Sequence, residues 1–198
     1  MSTLFIVILV LIAVFALYAI GLYNRLVQLR NQVKNAWSQI DVQLQRRYDL
    51  IPNLIEAVKG YMGYEKSTLE AVINARNQAQ AARNRLEEGG GPTNASVKDV
   101  AAAEATLKTA VGGIFALAEN YPELKAGENM KQLQEELSST ENKIAFARQA
   151  YNDNAMFYNN AQQQFPAVLV AGALGHQLVD LYVVQDEQAK KAPKISFS

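Results

Sequence analysis

Few side chains in this 198-residue sequence could do catalytic chemistry. The chain has one histidine, His176, and no cysteine, so thiol nucleophiles, thiolate metal sites and disulfides are excluded. It contains neither a Gly-x-x-x-x-Gly-Lys-Ser/Thr phosphate loop nor a Gly-x-Ser-x-Gly string. A di-iron helical bundle needs Glu-x-x-His pairs on two helices, which one histidine cannot supply. The sequence therefore predicts no catalytic residue, no metal and no cofactor, and it favours a structural role for His176 over a ligand role.

A second group of polar residues lies on or beside apolar positions of the predicted helices. We interpret most of them as paired charges that set helix register, and the alternative is a polar pocket or a contact line between subunits. Glu141 lies one residue from an apolar position, within reach of a facing helix, and a charge swap with Arg46 would test whether these two residues meet. The candidate bundle or interface positions are Arg46, Arg47, Asp49, Glu65, Arg76, Glu104, Glu141, Arg148, Tyr151 and Tyr158.

Two of these positions, Tyr151 and Tyr158, are each followed by an asparagine. A buried tyrosine needs a partner for its hydroxyl, and we expect neighbouring asparagines to provide it. The pattern predicts either a specificity layer inside the bundle or a surface for another copy of the chain. The candidate partners are Asn152, Asn154, Asn159 and Asn160.

The predicted helix that carries Arg46, Arg47 and Asp49 begins with an uncharged run. The first charged side chain is Arg25, and residues 4–23 are almost entirely apolar. Twenty such residues make a helix of about 30 Å, the thickness of the hydrocarbon core of a bilayer. A cleaved signal would have a basic start and a shorter apolar core, so we predict a retained membrane span. Its representative residues are Leu4, Phe5, Ile12, Phe15, Tyr18 and Tyr23.

The charges that flank this run predict its orientation. Arg25, Arg30 and Lys34 follow it, whereas the three residues before it carry no charged side chain. By the positive-inside rule, we expect the body of the protein in the cytoplasm and the N-terminus outside. Arg46 and Arg47 lie about 30 Å beyond the span at helical rise, so pairing within the bundle is favoured over a contact with lipid headgroups.

The remaining sequence predicts an all-α fold. Apolar residues recur at helical spacing after the span, and the breaks fall at Pro52, at the glycines before Pro92, and at Pro122. Pro52 is expected to kink or restart the first helix, and the last long helix is expected to run from about Pro122 to Phe165. We predict a transmembrane helix that continues into an elongated, antiparallel, coiled-coil-like bundle of about four long helices.

The predicted domains are a membrane anchor at 1–24, a helical bundle at 25–185 and a flexible tail at 186–198. Within the second of these, residues 165–184 form a short segment rich in Val, Leu, Ala and Gly. Its apolar part is too short to span a bilayer. We expect it to cap the end of the bundle, and the alternative is a contact with a membrane or a neighbouring subunit.

Several long strings resemble the LemA family. They are RRYDLIPNL at 46–54, VKGY at 58–61, AENYPELKA at 118–126 and TENKIA at 140–145, with Arg148, Tyr151-Asn152, Tyr158-Asn159 and Phe165-Pro166 following in the same order. The resemblance covers nearly the whole chain and implies a single-pass bacterial membrane protein with a cytoplasmic helical bundle and no enzyme activity. Some members are associated with shaping or organising internal membranes. The chain departs from the pattern at Gly175-His176, where the family has Gly-Phe.

Two functions remain as hypotheses. The first is a membrane-anchored helical scaffold that self-assembles and organises or shapes the bacterial inner membrane, or complexes on it. The second is an adaptor or regulator of a membrane protease or signalling system. The expected partners are the lipid bilayer, further copies of the chain and a membrane protein. Nucleic acid is not expected, because basic and acidic residues balance at 19 each and no basic stripe occurs.

Overall fold

The computed structural model describes residues 2–61, 65–92 and 94–183. Within these residues the chain forms α-helices, one short 3-10 helix and no strand, which confirms the predicted all-α fold. The predicted flexible tail at 186–198 lies outside the described residues. The helices are α1 (Ser2–Lys59), α2 (Lys66–Glu88), α3 (Asn94–Ala118), α4 (Pro122–Ala126) and α5 (Glu128–Gln163), and the 3-10 helix is Ala167–Leu169.

Helix α1 is one uninterrupted helix of 58 residues, about 87 Å long at helical rise. Its side chains from residue 3 to residue 21 are exposed, and Leu26 is the first that is fully buried. The predicted span and the first helix of the bundle are therefore a single element. The expected restart at Pro52 is wrong, because α1 continues through that residue to Lys59.

The four long helices run alternately up and down. Helix α1 packs mainly against α5, and α2 packs mainly against α3. Trp37 on α1 contacts Tyr151 on α5, and further along α1 Arg47 pairs with Glu141, so α1 and α5 are antiparallel. The α2–α3 turn reaches the side chain of Lys34, and the end of α5 lies near Tyr23. Both connections thus sit at the end of the bundle from which the apolar part of α1 emerges.

The core follows the seven-residue repeat most clearly along α5. The residues of this helix that the repeat places inside, and that are buried, are Met130, Leu137, Thr140, Ile144, Tyr151 and Tyr158. The predicted start of the helix at Pro122 is wrong, because Gly127 adopts an extended conformation and separates α4 from α5. Helix α4 then places Leu124 in the core as a separate short turn.

After α5 the chain makes an irregular turn and reverses direction. The Phe165–Pro166 peptide bond is cis, the 3-10 helix follows, and Gly175 takes a φ of 76°. A positive φ of that size is strained for residues with a β-carbon, which accounts for a glycine at this position. Residues 176–183 have no regular secondary structure and pass along α5 in the opposite direction.

Candidate functional site

The most deeply buried charges join α1 to α3 and α5. Nη1 of Arg47 lies 2.6 Å from Oε2 of Glu104, and the hydroxyl of Tyr48 donates to the other oxygen of the same carboxylate. The second amino group of Arg47 pairs with Glu141, whose other oxygen lies 2.9 Å from Nζ of Lys108. Three helices are therefore connected through one arginine. We call these five residues the Arg47 network.

Burial is the largest influence on two groups of this network, Glu104 and Tyr48. It raises the pKa of the Glu104 carboxyl, while the charge of Arg47 and the hydrogen bonds from Tyr48 and Arg47 lower that pKa. Burial and the neighbouring Glu104 also raise the pKa of the Tyr48 hydroxyl. Tyr48 therefore stays protonated and acts as a donor to Glu104. The hydrogen bonds among Arg47, Glu104 and Tyr48 offset the cost of burying their polar groups.

Arg76 supplies a hydrogen bond to the backbone of α1, which explains why α1 continues through Pro52. A proline has no backbone N–H, so the carbonyl four residues earlier in a helix loses its donor. That carbonyl belongs to Tyr48, and Nε of Arg76 on α2 donates to it at 2.8 Å. The side chain thus replaces the missing backbone hydrogen bond, and α1 needs no break at this point.

Arg83 makes a further, partly buried contact between α2 and α1 that the sequence reasoning missed. Its guanidinium binds both carboxylate oxygens of Asp41, with Nη2 lying 2.8 Å from Oδ2, and Nη1 also donates to Gln45 at 3.0 Å. Asp41 directly follows the buried Ile40, and Arg83 directly follows the buried Ala82. This position at the edge of the apolar stripe was the signal that could have found the pair.

The remaining predicted charges lie nearer the surface. Glu141 pairs with Arg47 and not with Arg46. Arg46 is half exposed and lies 3.8 Å from Glu136, because Arg47, about 100° round the helix, is the residue that faces inward. Asp49 accepts a hydrogen bond from Gln45 on its own helix. Glu65 precedes α2, where its backbone carbonyl accepts the first amide bonds.

Arg148 is the last of the predicted charges, and its partner is aromatic. The guanidinium lies 5.9 Å from the centre of the Tyr182 ring. Tyr182 is itself buried and packs near Trp37. Arg148 therefore covers the outer side of the segment that follows Gly175 rather than pairing with a facing helix.

Asparagines of α5 hold this segment by its backbone. Asn152 accepts a hydrogen bond from the amide of Tyr182 at 2.8 Å and donates to its carbonyl at 3.2 Å. One heptad further on, Asn159 makes the same pair of bonds to Val179, at 2.9 Å and 2.8 Å. Each asparagine side chain thus binds both the amide and the carbonyl of one residue, as the backbone of a neighbouring β-strand would. We call residues 176–183 the pinned segment.

The tyrosine hydroxyls bind the same segment instead of the asparagines. Tyr151 donates to the carbonyl of Asp180 at 2.9 Å, and Tyr158 lies 2.9 Å from Nδ1 of His176. The expectation that neighbouring asparagines serve the tyrosines is wrong. Both tyrosines are fully buried, so they pack within this chain and are not a surface for another copy.

His176 fills the corner where the family pattern has phenylalanine. Its ring stands edge-on to Tyr23 and to Tyr158, with ring centres 6.1 Å and 6.0 Å away. The residue is buried, and its aromatic contacts are those a phenylalanine could make. Burial lowers the pKa of His176, and the charge of Arg30 lowers it further.

This lowered pKa predicts that acid destabilises the folded protein through His176. The folded protein holds His176 neutral, whereas the unfolded chain takes up a proton near pH 6.5, so stability is lost as the pH falls through that value towards the lowered folded pKa. Between pH 7 and pH 5 we expect a larger fall in unfolding free energy for the natural sequence than for His176→Phe. Denaturant titration of the full chain in detergent, followed by the fluorescence of the single tryptophan, Trp37, measures both falls. Equal falls would contradict the prediction.

Two helices in the described part of the chain are long and apolar enough to cross a membrane by length and composition. They are α1 and α3. None of the apolar window of α1 is buried, whereas part of that of α3 is, and α3 also carries Glu104 in its buried face. The fold and its unburied apolar N-terminal helix thus define a membrane-associated helical protein.

Comparison with known proteins identifies the family. The family model described as LemA family matches residues 36–197, and the chain belongs to the LemA family. It is 26% identical over 188 residues to Protein LemA of Metamycoplasma hominis, a match that covers 93% of this chain and 77% of that protein. It is 25% identical over 175 residues to the magnetosome protein MamQ of Magnetospirillum gryphiswaldense, covering 81% of this chain and 64% of MamQ.

A third relative is the magnetosome protein MamQ 2 of Paramagnetospirillum magneticum. It is 23% identical over 188 residues, which cover 88% of this chain and 68% of that protein. The chain thus spans about two thirds of the length of the MamQ proteins it matches. The match to the family model begins within α1, after the apolar run, so it concerns the bundle and the segment that follows it.

Proposed function

We propose that this protein is a membrane-anchored helical scaffold that self-assembles on the bacterial inner membrane, with its N-terminus outside and its bundle in the cytoplasm. The proposed role is not enzymatic: it organises or shapes the membrane or the complexes on it. Two of the relatives above are named magnetosome proteins. The observation that carries the proposal is an exposed aromatic face on α5.

That face contains Phe146 and Phe157. Their exposed fractions are 74% and 60%, large for phenylalanine on a folded bundle. They lie eleven residues apart, about three helical turns, so they point in the same direction. Ala150 and Asp153 between them are also exposed, and no helix of the described chain covers this side. Two exposed phenylalanines on one side of a helix, even with Asp153 between them, favour a site of protein contact.

A second copy of the chain fits this face by symmetry. Two copies anchored in one bilayer can be related by a two-fold axis along the membrane normal, and such an axis makes their α5 helices run in the same direction. Each phenylalanine then meets its own counterpart near the axis. The contact covers the exposed rings of both copies at once, and it requires no change in the bundle.

The test is the oligomeric state of Phe146→Ser/Phe157→Ser. We expect the full chain in detergent to be an oligomer by size-exclusion chromatography with light scattering, and we expect the double variant to shift towards the monomer. Val42→Ser is the matched control, because Val42 is also an apolar residue exposed on the bundle but lies on α1. A natural chain that is monomeric at high concentration, or an oligomer that survives the double substitution, would overturn the proposal.

An adaptor role is the second candidate, and one cleft favours it. A cavity of about 300 Å³ lies between α3 and α5, lined by Val111 and Phe115 and bounded by Arg47 and Glu141 of the network. An apolar side chain of a partner protein would fit there. Crosslinking in native membranes with mass spectrometry separates the two roles, because the adaptor predicts a stoichiometric hetero-complex and the scaffold predicts links between copies of one chain.

A further inference from the structure

We propose that the turn between α5 and the pinned segment, residues 165–175, docks into the headgroup region of the bilayer that α1 spans, as a second membrane contact. The inference rests on the proposed membrane anchor, and it concerns a part of the chain that the anchor does not include. We call these residues the apolar turn. They contain no charged and no polar side chain.

The apolar turn exposes its largest side chains. Phe165 is 81% exposed and Leu169 is 71% exposed, and Val168 and Leu174 are also exposed. Two small residues of the turn, Ala167 and Ala171, are buried, whereas Gly172, Ala173 and Gly175 are exposed. A turn that only capped the bundle would place its large residues inside and its small residues outside. The observed arrangement leaves an apolar surface pointing away from the bundle.

The helix register places this surface at the level of the membrane. Trp37 lies opposite Tyr151 and Arg47 pairs with Glu141, so a step back along α1 matches a step forward along α5. Fourteen residues back from Trp37 is Tyr23, and fourteen residues beyond Tyr151 is Phe165. The end of α5 therefore lies level with the last residues of the uncharged run of α1.

A direct contact supports the same level. The ring of His176, which directly follows the turn, lies 6.1 Å from the ring of Tyr23. Tyr23 closes the uncharged run, and tyrosine is enriched where a transmembrane helix meets the interface. The residue that directly follows the apolar turn thus packs beside the last tyrosine of the surface that the anchor presents to lipid.

The charges around the turn fit an anionic lipid surface. Arg25 and Arg30 are exposed on α1 at the same level. Asp180, the nearest acidic residue along the chain, lies within the pinned segment, five residues after the turn, and pairs with Lys98 at 2.8 Å. Cationic side chains beside an uncharged apolar surface favour the interface of a bilayer that contains anionic lipids.

The turn is also held firmly enough to dock as a unit. Gln162, just before it, donates to the carbonyl of Gln177 just after it at 3.3 Å. The hydrogen bond between Tyr158 and His176 also joins α5 to the pinned segment. Since both ends of the turn are fixed to α5, its exposed side chains reach the bilayer without further ordering of the chain.

Site-directed spin labelling tests the proposal in the full-length protein. The chain has no cysteine, so Leu169→Cys, Phe15→Cys and Val42→Cys each give one labelling site. The proteins are placed one copy to a nanodisc of phosphatidylcholine and phosphatidylglycerol, and the collision rates of the nitroxide with oxygen and with a water-soluble nickel chelate are measured. We expect the oxygen-to-nickel ratio at Leu169 to be severalfold higher than at Val42 and lower than at Phe15, because Phe15 lies deeper in the bilayer than the headgroup region. Unchanged helical circular dichroism checks that each labelled protein is folded.

The outcomes separate this inference from the proposed function. A high ratio at Phe15 with a ratio at Leu169 equal to that at Val42 would overturn the docking of the turn and leave the anchor in place. A low ratio at Phe15 would overturn the anchor and the docking together. A label at Leu169 that gives the ratio of Val42 in single-copy discs, and that becomes shielded from both reagents when a disc holds several copies, would assign the turn to a contact between copies and would also overturn the proposal.

Discussion

Replacing Arg47 by methionine is expected to lower the free energy of unfolding of the bundle by about 3–5 kcal/mol. The substitution keeps most of the side-chain volume, but it leaves the Glu104 carboxylate, which is almost inaccessible to water, without its cation. Glu141 loses its inner partner at the same time and keeps Lys108. Denaturant titration of the full chain in detergent, followed by the fluorescence of Trp37, measures the loss.

Two further variants show whether the buried charge is the cause. Arg46→Met is the control, because its half-exposed side chain lies 3.8 Å from Glu136 and is expected to contribute about 0–1 kcal/mol. Arg47→Met/Glu104→Gln removes both charges and keeps an oxygen acceptor for the Tyr48 hydroxyl. We expect this double variant to be more stable than Arg47→Met alone. If it is not, the loss comes from packing rather than from an unpaired charge.

The second large effect is a coupling between Arg76 and Pro52. Arg76→Met is expected to cost about 1–3 kcal/mol, because the Tyr48 carbonyl that Pro52 leaves without an amide donor then has no donor from α2 either. In a Pro52→Ala background the restored backbone amide can bind that carbonyl. The same Arg76→Met substitution should then cost clearly less, and a double-mutant cycle measured with the same titration gives the difference.

A coupling energy between Arg76 and Pro52 is expected only if Arg76 replaces the missing amide donor. If Arg76 contributed only through packing or surface charge, its substitution would cost the same in both backgrounds, and the cycle would close without a coupling energy. Arg85→Met, also on α2, is the matched control, because this arginine is exposed on the outer side of the helix. It should show no dependence on residue 52.

The sequence predicted those parts of the fold that depend on regular spacing. The seven-residue repeat on α5 identified Met130, Leu137, Ile144, Tyr151 and Tyr158, because a helix in a bundle buries a narrow stripe. Spacing was not enough where one residue changes the outcome. Arg46 and Arg47 differ by about 100° on the helix, so a small error of phase exchanges the buried charge for the exposed one.

Other features could not be read from spacing, because they join a side chain to an irregular backbone. Asn152 and Asn159 lie one heptad apart, but nothing in the sequence showed that an extended segment would pass beside them. The same holds for Arg76, since a missing amide at Pro52 indicates a weak point in a helix without indicating which residue supplies a donor. These contacts connect parts of the chain that are distant in sequence.

If α1 is the anchor proposed above, its unbroken length couples the tilt of the span to the position of the whole bundle. From Tyr23 to Lys59 the helix extends about 54 Å beyond the uncharged run, with no break at Pro52. A span longer than the local hydrocarbon core responds by tilting. Each ten degrees of tilt carries the far end of α1 sideways by about 9 Å, so small differences in the thickness of the membrane become large differences in the reach of the bundle over its surface.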